Sequence, residues 1–261
     1  MNLMAFRVGD LLVETHPTHE QMAAAAAAAV AHSLHQTIAE LGRARVIFAS
    51  AASQIRFLDA LVRDDRVDWA RVTGFHMDEY LGIDPAHPAS FRRFLRERLA
   101  ERVRFEAFEF IQGEADEPIK ECDRYTALLR AAPIDLCVLG IGENGHVAFN
   151  DPPVADFDDP RVVKLVALDQ ACRRQQVGEG AFPSLEAVPR YAYTLTVPAL
   201  CAARRLVCVV PETRKAAAVR QALQGPISTA CPASVLRRQP HATLYLDADA
   251  AADLSGGGRL R

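Results

Sequence analysis

The chain has 261 residues, enough for one large α/β domain or two small ones, and half of them (50%) are hydrophobic, so a sizeable core can form. A formal net charge of −3, with Lys and Arg spread rather than clustered, argues against a nucleic-acid or membrane surface. Six cysteines, at 122, 137, 172, 201, 208 and 231, form no C-x-x-C pair, and several lie in apolar runs; they read as reduced, mostly buried thiols of a cytoplasmic protein.

At the N-terminus there is no basic segment followed by an apolar stretch, so no secretory signal is expected. Leu11-Leu12-Val13 reads as a short edge strand. Thr18-His19-Glu20-Gln21 has the spacing of a capping box, and an alanine-rich packing helix should run from it to about Leu41. Its run Ala23–Ala29 is too short to cross a bilayer. Val46-Ile47-Phe48 reads as a buried strand running into Ala49-Ser50-Ala51-Ala52-Ser53-Gln54 and an amphipathic helix Ile55–Val62. Strand, small-residue loop and helix N-terminus together make an anion cradle, in which free amides and the helix dipole favour a phosphate. A tight turn with Ser53 as N-cap explains the same residues. Trp69–Gly74 reads as a strand ending in Phe75-His76-Met77-Asp78-Glu79-Tyr80. On extended chain Asp78 and Glu79 point opposite ways, so one carboxylate can enter a cleft while the other faces solvent or a partner. A desolvated carboxylate there can act as a general base. The arginine-rich helix after His87-Pro88-Ala89-Ser90 reads as a solvated face.

Strands are expected at Phe108–Ile111, Val162–Val166, Tyr193–Val197, Leu206–Val210 and Thr243–Leu246. Helices are expected at Glu117–Arg130, from Pro211 to Leu223 and at Cys231–Leu236; Ser255–Gly258 reads as a frayed tail. Lys215 falls in a helical first turn, against the dipole preference for acidic residues, which suggests an anion nearby. The alternation predicts an α/β fold: a three-layer, Rossmann-like arrangement with a mostly parallel sheet and helices on both faces. No repeat or linker divides the chain, so a single domain over 1–261 is expected.

The stretch Asp135 to Pro153, DLCVLGIGENGHVAFNDPP, organises the rest. A short apolar strand is followed by Gly140, Gly142 and Gly145, then His146, at the strand end where open α/β sheets bind ligands. It matches G-x-G-x-x-G, but Pro152-Pro153 leaves no room for the helix that a dinucleotide site needs, so no nicotinamide site is expected.

Two segments, FHMDEYLGI with the following HPASF, and GIGENGHVAFNDP, resemble the glucosamine-6-phosphate deaminase/isomerase family, whose superfamily also contains the 6-phosphogluconolactonases. The ASAASQ loop, YAYTLTVPAL and the lysine of ETRKAAAV are weaker matches in the same order, from about residue 45 to 247. The resemblance implies conversion of glucosamine 6-phosphate to fructose 6-phosphate and ammonia without metal, nucleotide or other cofactor. It also implies that His146 opens the sugar ring, Asp78 moves a proton from C2 to C1, and Asp151 holds His146. The Ser50–Ser53 loop (with Ala51 and Ala52), Lys215 and, more loosely, Arg173 would grip the phosphate; Glu79, Gly142 and Gly145 would line the substrate site. The chain departs from the family pattern at Asn144 (usually Asp), at Asp151 (usually Glu) and in the loop (usually Thr-Gly-Gly-Thr). A lactonase, which needs only a histidine base, a water and a phosphate grip, remains an alternative; so does a sensor that binds hexosamine phosphate without turnover, for which Asn144 is the motive. A homo-oligomer is left open.

Overall fold

Residues 4–254 are described by a computed structural model; the expected tail, Ser255–Gly258, lies outside the described residues. Its strands are β1 (Met4–Val8), β2 (Leu11–His16), β3 (Ala44–Phe48), β4 (Val72–His76), β5 (Asp78–Tyr80), β6 (Ala107–Glu109), β7 (Leu136–Leu139), β8 (Val163–Ala167), β9 (Tyr191–Leu195), β10 (Arg205–Val210) and β11 (Ala242–Asp247). The α-helices are α1 (His19–Leu41), α2 (Ile55–Leu61), α3 (Phe91–Leu95), α4 (Pro118–Arg130), α5 (Gln170–Gly178), α6 (Val197–Cys201) and α7 (Ala216–Gln224).

An eight-stranded sheet has the order β1-β2-β11-β10-β7-β3-β4-β6. Every pairing in it is parallel except β1 with β2. The central strand β7, Leu136–Leu139, is apolar and buried along its whole length because both faces are covered. Apolar clusters pack on both sides, one against the alanine face of α1 and the other against α4, α6 and α7. Thr18 accepts a hydrogen bond from the Gln21 amide at the start of α1, and Gly42 ends the helix in the left-handed region at φ 77°.

Two expectations need correction. The edge strand is β1, which pairs antiparallel outside β2; Leu11-Leu12-Val13 is therefore interior. The segments at Val162–Val166 and Tyr193–Val197 do not join the parallel sheet. Their strands, β8 and β9, form a separate antiparallel sheet with β5, in the order β5-β9-β8. Both are buried and apolar enough for a parallel core, and nothing in their pattern reports which partner they meet.

The Tyr125 ring fixes the end of β4 that leads to this second sheet. Its hydroxyl accepts the His76 amide at 2.9 Å and lies 2.9 and 3.0 Å from the carbonyls of His76 and Glu109. Tyr125→Phe leaves that buried amide without a partner, so urea denaturation should read a loss of roughly 1–3 kcal/mol.

Candidate functional site

The order of the large sheet places β3 and β4 on one side of β7 and β10 on the other, so the loops leaving these strands diverge around a crevice at their carboxyl ends. A cavity of about 310 Å³ lies there. It is lined by the loop after β3 (Ala49–Ile55), by Met77 and Asp78 after β4, by Gly140–Gly142 and His146 after β7, and by Lys215 after β10. The size is at the lower end of the range for small-molecule sites, about 300 Å³ and up.

His146 is seated by its own loop. Gly142 donates its amide to the His146 carbonyl at 2.9 Å, and a Cβ on Gly142 would fall 2.2 Å from the imidazole ring, so only glycine leaves the ring its place. Gly145 turns at φ +83°, and a Cβ there would meet Cys231 Sγ at 2.7 Å. Gly145 thus shapes the turn but does not line the cavity. The His146 Nδ1 lies 2.9 Å from Asp151 Oδ1, and the Asp151 side chain is fully buried. Asn144 links the two: its Oδ1 accepts the His146 amide at 3.0 Å and its Nδ2 donates to Asp151 Oδ1 at 2.9 Å. Burial pushes the Asp151 carboxyl up, but the hydrogen bond and charge of His146, with Asn144 and the Asp169 amide, outweigh it and hold the group below its ordinary value. Asp151 is therefore an ionised orienter, and the ring nitrogen away from it is the one available to a substrate. Ala148, the next cavity residue, sits at φ 49°, a strained conformation held by the neighbouring hydrogen bonds of Phe149 and Asn150.

Asp78 and Glu79 point opposite ways, as β5 requires. Asp78 faces the cavity, almost fully buried, and its Oδ1 has no hydrogen-bond partner among the described residues. Burial, reinforced by the charge of Glu79, pushes its carboxyl well above the ordinary value. Glu79 faces neither solvent nor the cavity. It accepts the Ser90 hydroxyl at 2.9 Å and the amides of Phe91 and Arg92 at 3.1 and 2.8 Å, closing the N-terminus of α3. Its expected part in substrate binding is thereby corrected: it braces the strand that carries Asp78.

The cavity is also lined by the loop after β3 and by the turn after β10. No side chain caps the turn Ala52–Gln54 or the start of α2, so Ser53 is not an N-cap and the first amides remain available. Ser50, Ala51, Ala52 and Ser53 all line the cavity, and the buried Ser50 hydroxyl has no partner. Gln54 fastens this loop to β10 through Val209 O at 3.1 Å. Lys215, 4% exposed, makes no ion pair among the described residues, and burial pushes its ammonium down. It is aimed by a strained corner: Glu212 sits at φ 81°, its amide held 3.1 Å from both oxygens of Asp247. Next to it, Arg214 pairs with Glu212, Glu179 and Glu143, tying α5 and the His146 loop to this corner.

Arg173 is not among these residues. Its guanidinium donates to the carbonyls of Leu185 and Val188 at 2.5 and 3.0 Å, organising the segment after α5, and it does not line the cavity. Sequence reasoning also missed Gln54, Gln175 and Arg98, which do. A helical face rich in arginine carries no mark of which arginine turns inward. Among the described residues, the one group of potential metal donors is His146, Asp151 and Cys172, within 4.8 Å of one another. Burial, with Asp151 beside it, pushes the Cys172 thiol far up, so it stays protonated and is a poor ligand.

Residues 17–245 match the family described as glucosamine-6-phosphate isomerases/6-phosphogluconolactonase. The chain belongs to this family. A glucosamine-6-phosphate deaminase of Exiguobacterium sibiricum is 38% identical over 193 residues, 74% of this chain and 75% of its own. One of Bacillus cytotoxicus is 35% identical over 191 residues, 73% of this chain and 71% of its own. Among solved structures, a monomeric glucosamine-6-phosphate deaminase matches with a TM-score of 0.83 at 28% identity, covering 92% of this chain and 99% of that one. A 6-phosphogluconolactonase of Shewanella baltica OS155 matches with a TM-score of 0.75 at 18% identity, over 93% and 100% of the two chains, and shares the fold.

Two predictions come from this geometry. An acid whose folded value is raised stabilises the fold at low pH and loses that contribution as pH climbs from its ordinary value of 3.8 through the folded one. Asp78→Asn removes the buried charge, so its melting temperature should exceed that of the parent, with a gap that widens from pH 5 to pH 9. Asn144→Asp sets a carboxylate where an amide now donates to Asp151 at 2.9 Å. The repulsion should lower stability by about 1–3 kcal/mol at pH 8, with partial recovery near pH 5, read by denaturant titration across pH.

Proposed function

We propose that this chain is a glucosamine-6-phosphate deaminase acting as one domain: an aldose–ketose isomerase that releases ammonia and leaves fructose 6-phosphate. The observation that carries the reading is the shared cavity: an unpartnered, desolvated Asp78 carboxyl and the Asp151-held His146 imidazole line it together with the uncapped Ser50–Ser53 loop and Lys215, a lysine without an ion pair among the described residues. The deaminase relatives at 35–38% identity support the same reading.

In this mechanism the phosphate docks on the Ser50–Ser53 loop and Lys215, which sets the sugar's C1–C2 end against Asp78 and His146. His146 takes the proton from O1 and gives one to O5, and the ring opens. Asp78 removes the proton at C2; the electron pair forms the C1=C2 bond of an enolamine as O1 is protonated. The same carboxyl returns the proton to C1, and the resulting imine at C2 takes up water and expels ammonia. One base serves both carbons because they are neighbours on one face of the chain, and its raised proton affinity lets it abstract a weakly acidic C–H. The buried Asp151 balances the imidazolium formed in transit, as an orienting carboxylate does in a triad.

No helix among the described residues is long and apolar enough to cross a membrane, which accords with a cytoplasmic amino-sugar enzyme. Asp78→Asn and His146→Gln should each lower ammonia release from glucosamine 6-phosphate by at least about a thousandfold, while glucose 6-phosphate still binds by calorimetry. Full activity in either variant would defeat the assignment of roles. Hydrolysis of 6-phosphogluconolactone that exceeds deamination in the parent would replace the reading with a lactonase.

A further inference from the structure

The arginines that follow Ser90 differ in one respect. Arg92 pairs with Glu114, Arg93 with Glu97, Arg96 with Glu101 and Arg102 with Asp59. Arg98 makes no ion pair among the described residues, and it alone of this group lines the cavity. The chain changes geometry at that point: α3 gives way to a π-turn over Arg96–Ala100. Such turns place an extra residue in the helix, change which side chains face a cleft and recur at functional sites. The π-turn packs against α2, the helix whose N-terminal loop holds Ser50–Ser53. The cavity that holds this loop is therefore lined by two cations without ion pairs among the described residues, Lys215 and Arg98, whereas Arg173 is committed to backbone carbonyls.

We propose that Arg98 is a phosphate-binding residue, contacting the substrate's phosphate in the cavity that it lines with Lys215. The proposal rests on the deaminase reading for the identity of the substrate. Charge favours it: a phosphate monoester carries about −1.5 to −2 at neutral pH and offers three acceptor oxygens, more than one lysine and a row of amides neutralise. Guanidinium also suits it geometrically, with parallel N–H groups that take two phosphate oxygens at once. Arg98 is exposed, so its head can move to meet a phosphate already seated against Lys215, which burial holds in place.

The test compares the parent with Arg98→Met, which keeps the stem and removes the charge, and Arg98→Lys. Steady-state kinetics with glucosamine 6-phosphate and calorimetric Kd values for inorganic phosphate and glucose 6-phosphate are the readouts. Arg98→Met should raise KM and both Kd values about tenfold, with kcat within threefold and an unchanged melting temperature. Arg98→Lys should recover part of the loss, and the difference from the parent should shrink as salt rises. Unchanged KM and Kd in Arg98→Met overturn the assignment, as does a fall in kcat alone. A parent that binds phosphate without turning over the amino sugar overturns the deaminase reading, and the Kd comparison still decides Arg98. A parent that neither turns over nor binds phosphate overturns both.

Discussion

The buried hydroxyl of Thr194 joins the strand that carries Asp78 to the loop that carries His146. Thr194 lies opposite Asp78 in the β5–β9 register, and its Oγ1 accepts the Phe149 amide at 3.1 Å, three residues beyond His146. Asn150 adds a second tie, from its side chain to Leu195 O at 2.8 Å. Strands β4 and β7 are separated by β3 in the large sheet, and their loops would otherwise diverge. The small antiparallel sheet crosses above them and holds both loops to one strand. This cross-sheet bonding holds Asp78 and His146 beside the same cavity.

The remaining features of the cavity are costs that a ligand offsets. Asp78 Oδ1, Ser50 Oγ and Gln54 Oε1 are buried without partners, Lys215 is desolvated without an ion pair among the described residues, and Ala148 and Glu212 sit in strained backbone. Buried polar groups are ordinarily satisfied, and these three oxygens belong to residues that line one cavity, where a polar ligand could satisfy them. Their supports are the reverse. Glu79, Asp151 and Asp247 each accept several hydrogen bonds and touch nothing in the cavity.

Asn144 illustrates how a departure from the family pattern is absorbed. With the short Asp151 in place of a longer acid, the carboxylate is drawn close to the loop, and an amide at 144 donates to it. An acid at 144 would repel it. Asn144 thus bonds both His146 and Asp151, while Glu143 is paired with Arg214.

What the sequence by itself determined is local. Apolar runs bounded by small residues marked the strands of the large sheet. The glycines of the β7 loop marked a close approach, and the alternation of β5 separated Asp78 from Glu79 in direction, because these properties depend on near neighbours alone. Only the tertiary structure decided which partners those directions met: that Glu79 would face the start of α3 instead of solvent, that Arg173 would serve a neighbouring loop, and that Arg98 would face the cavity. It also decided that β8 and β9 would leave the parallel sheet. Side-chain period is the same in either kind of sheet, and an arginine is equally polar on either face of a helix, so partner choice rests on long-range packing that no short stretch of chain encodes.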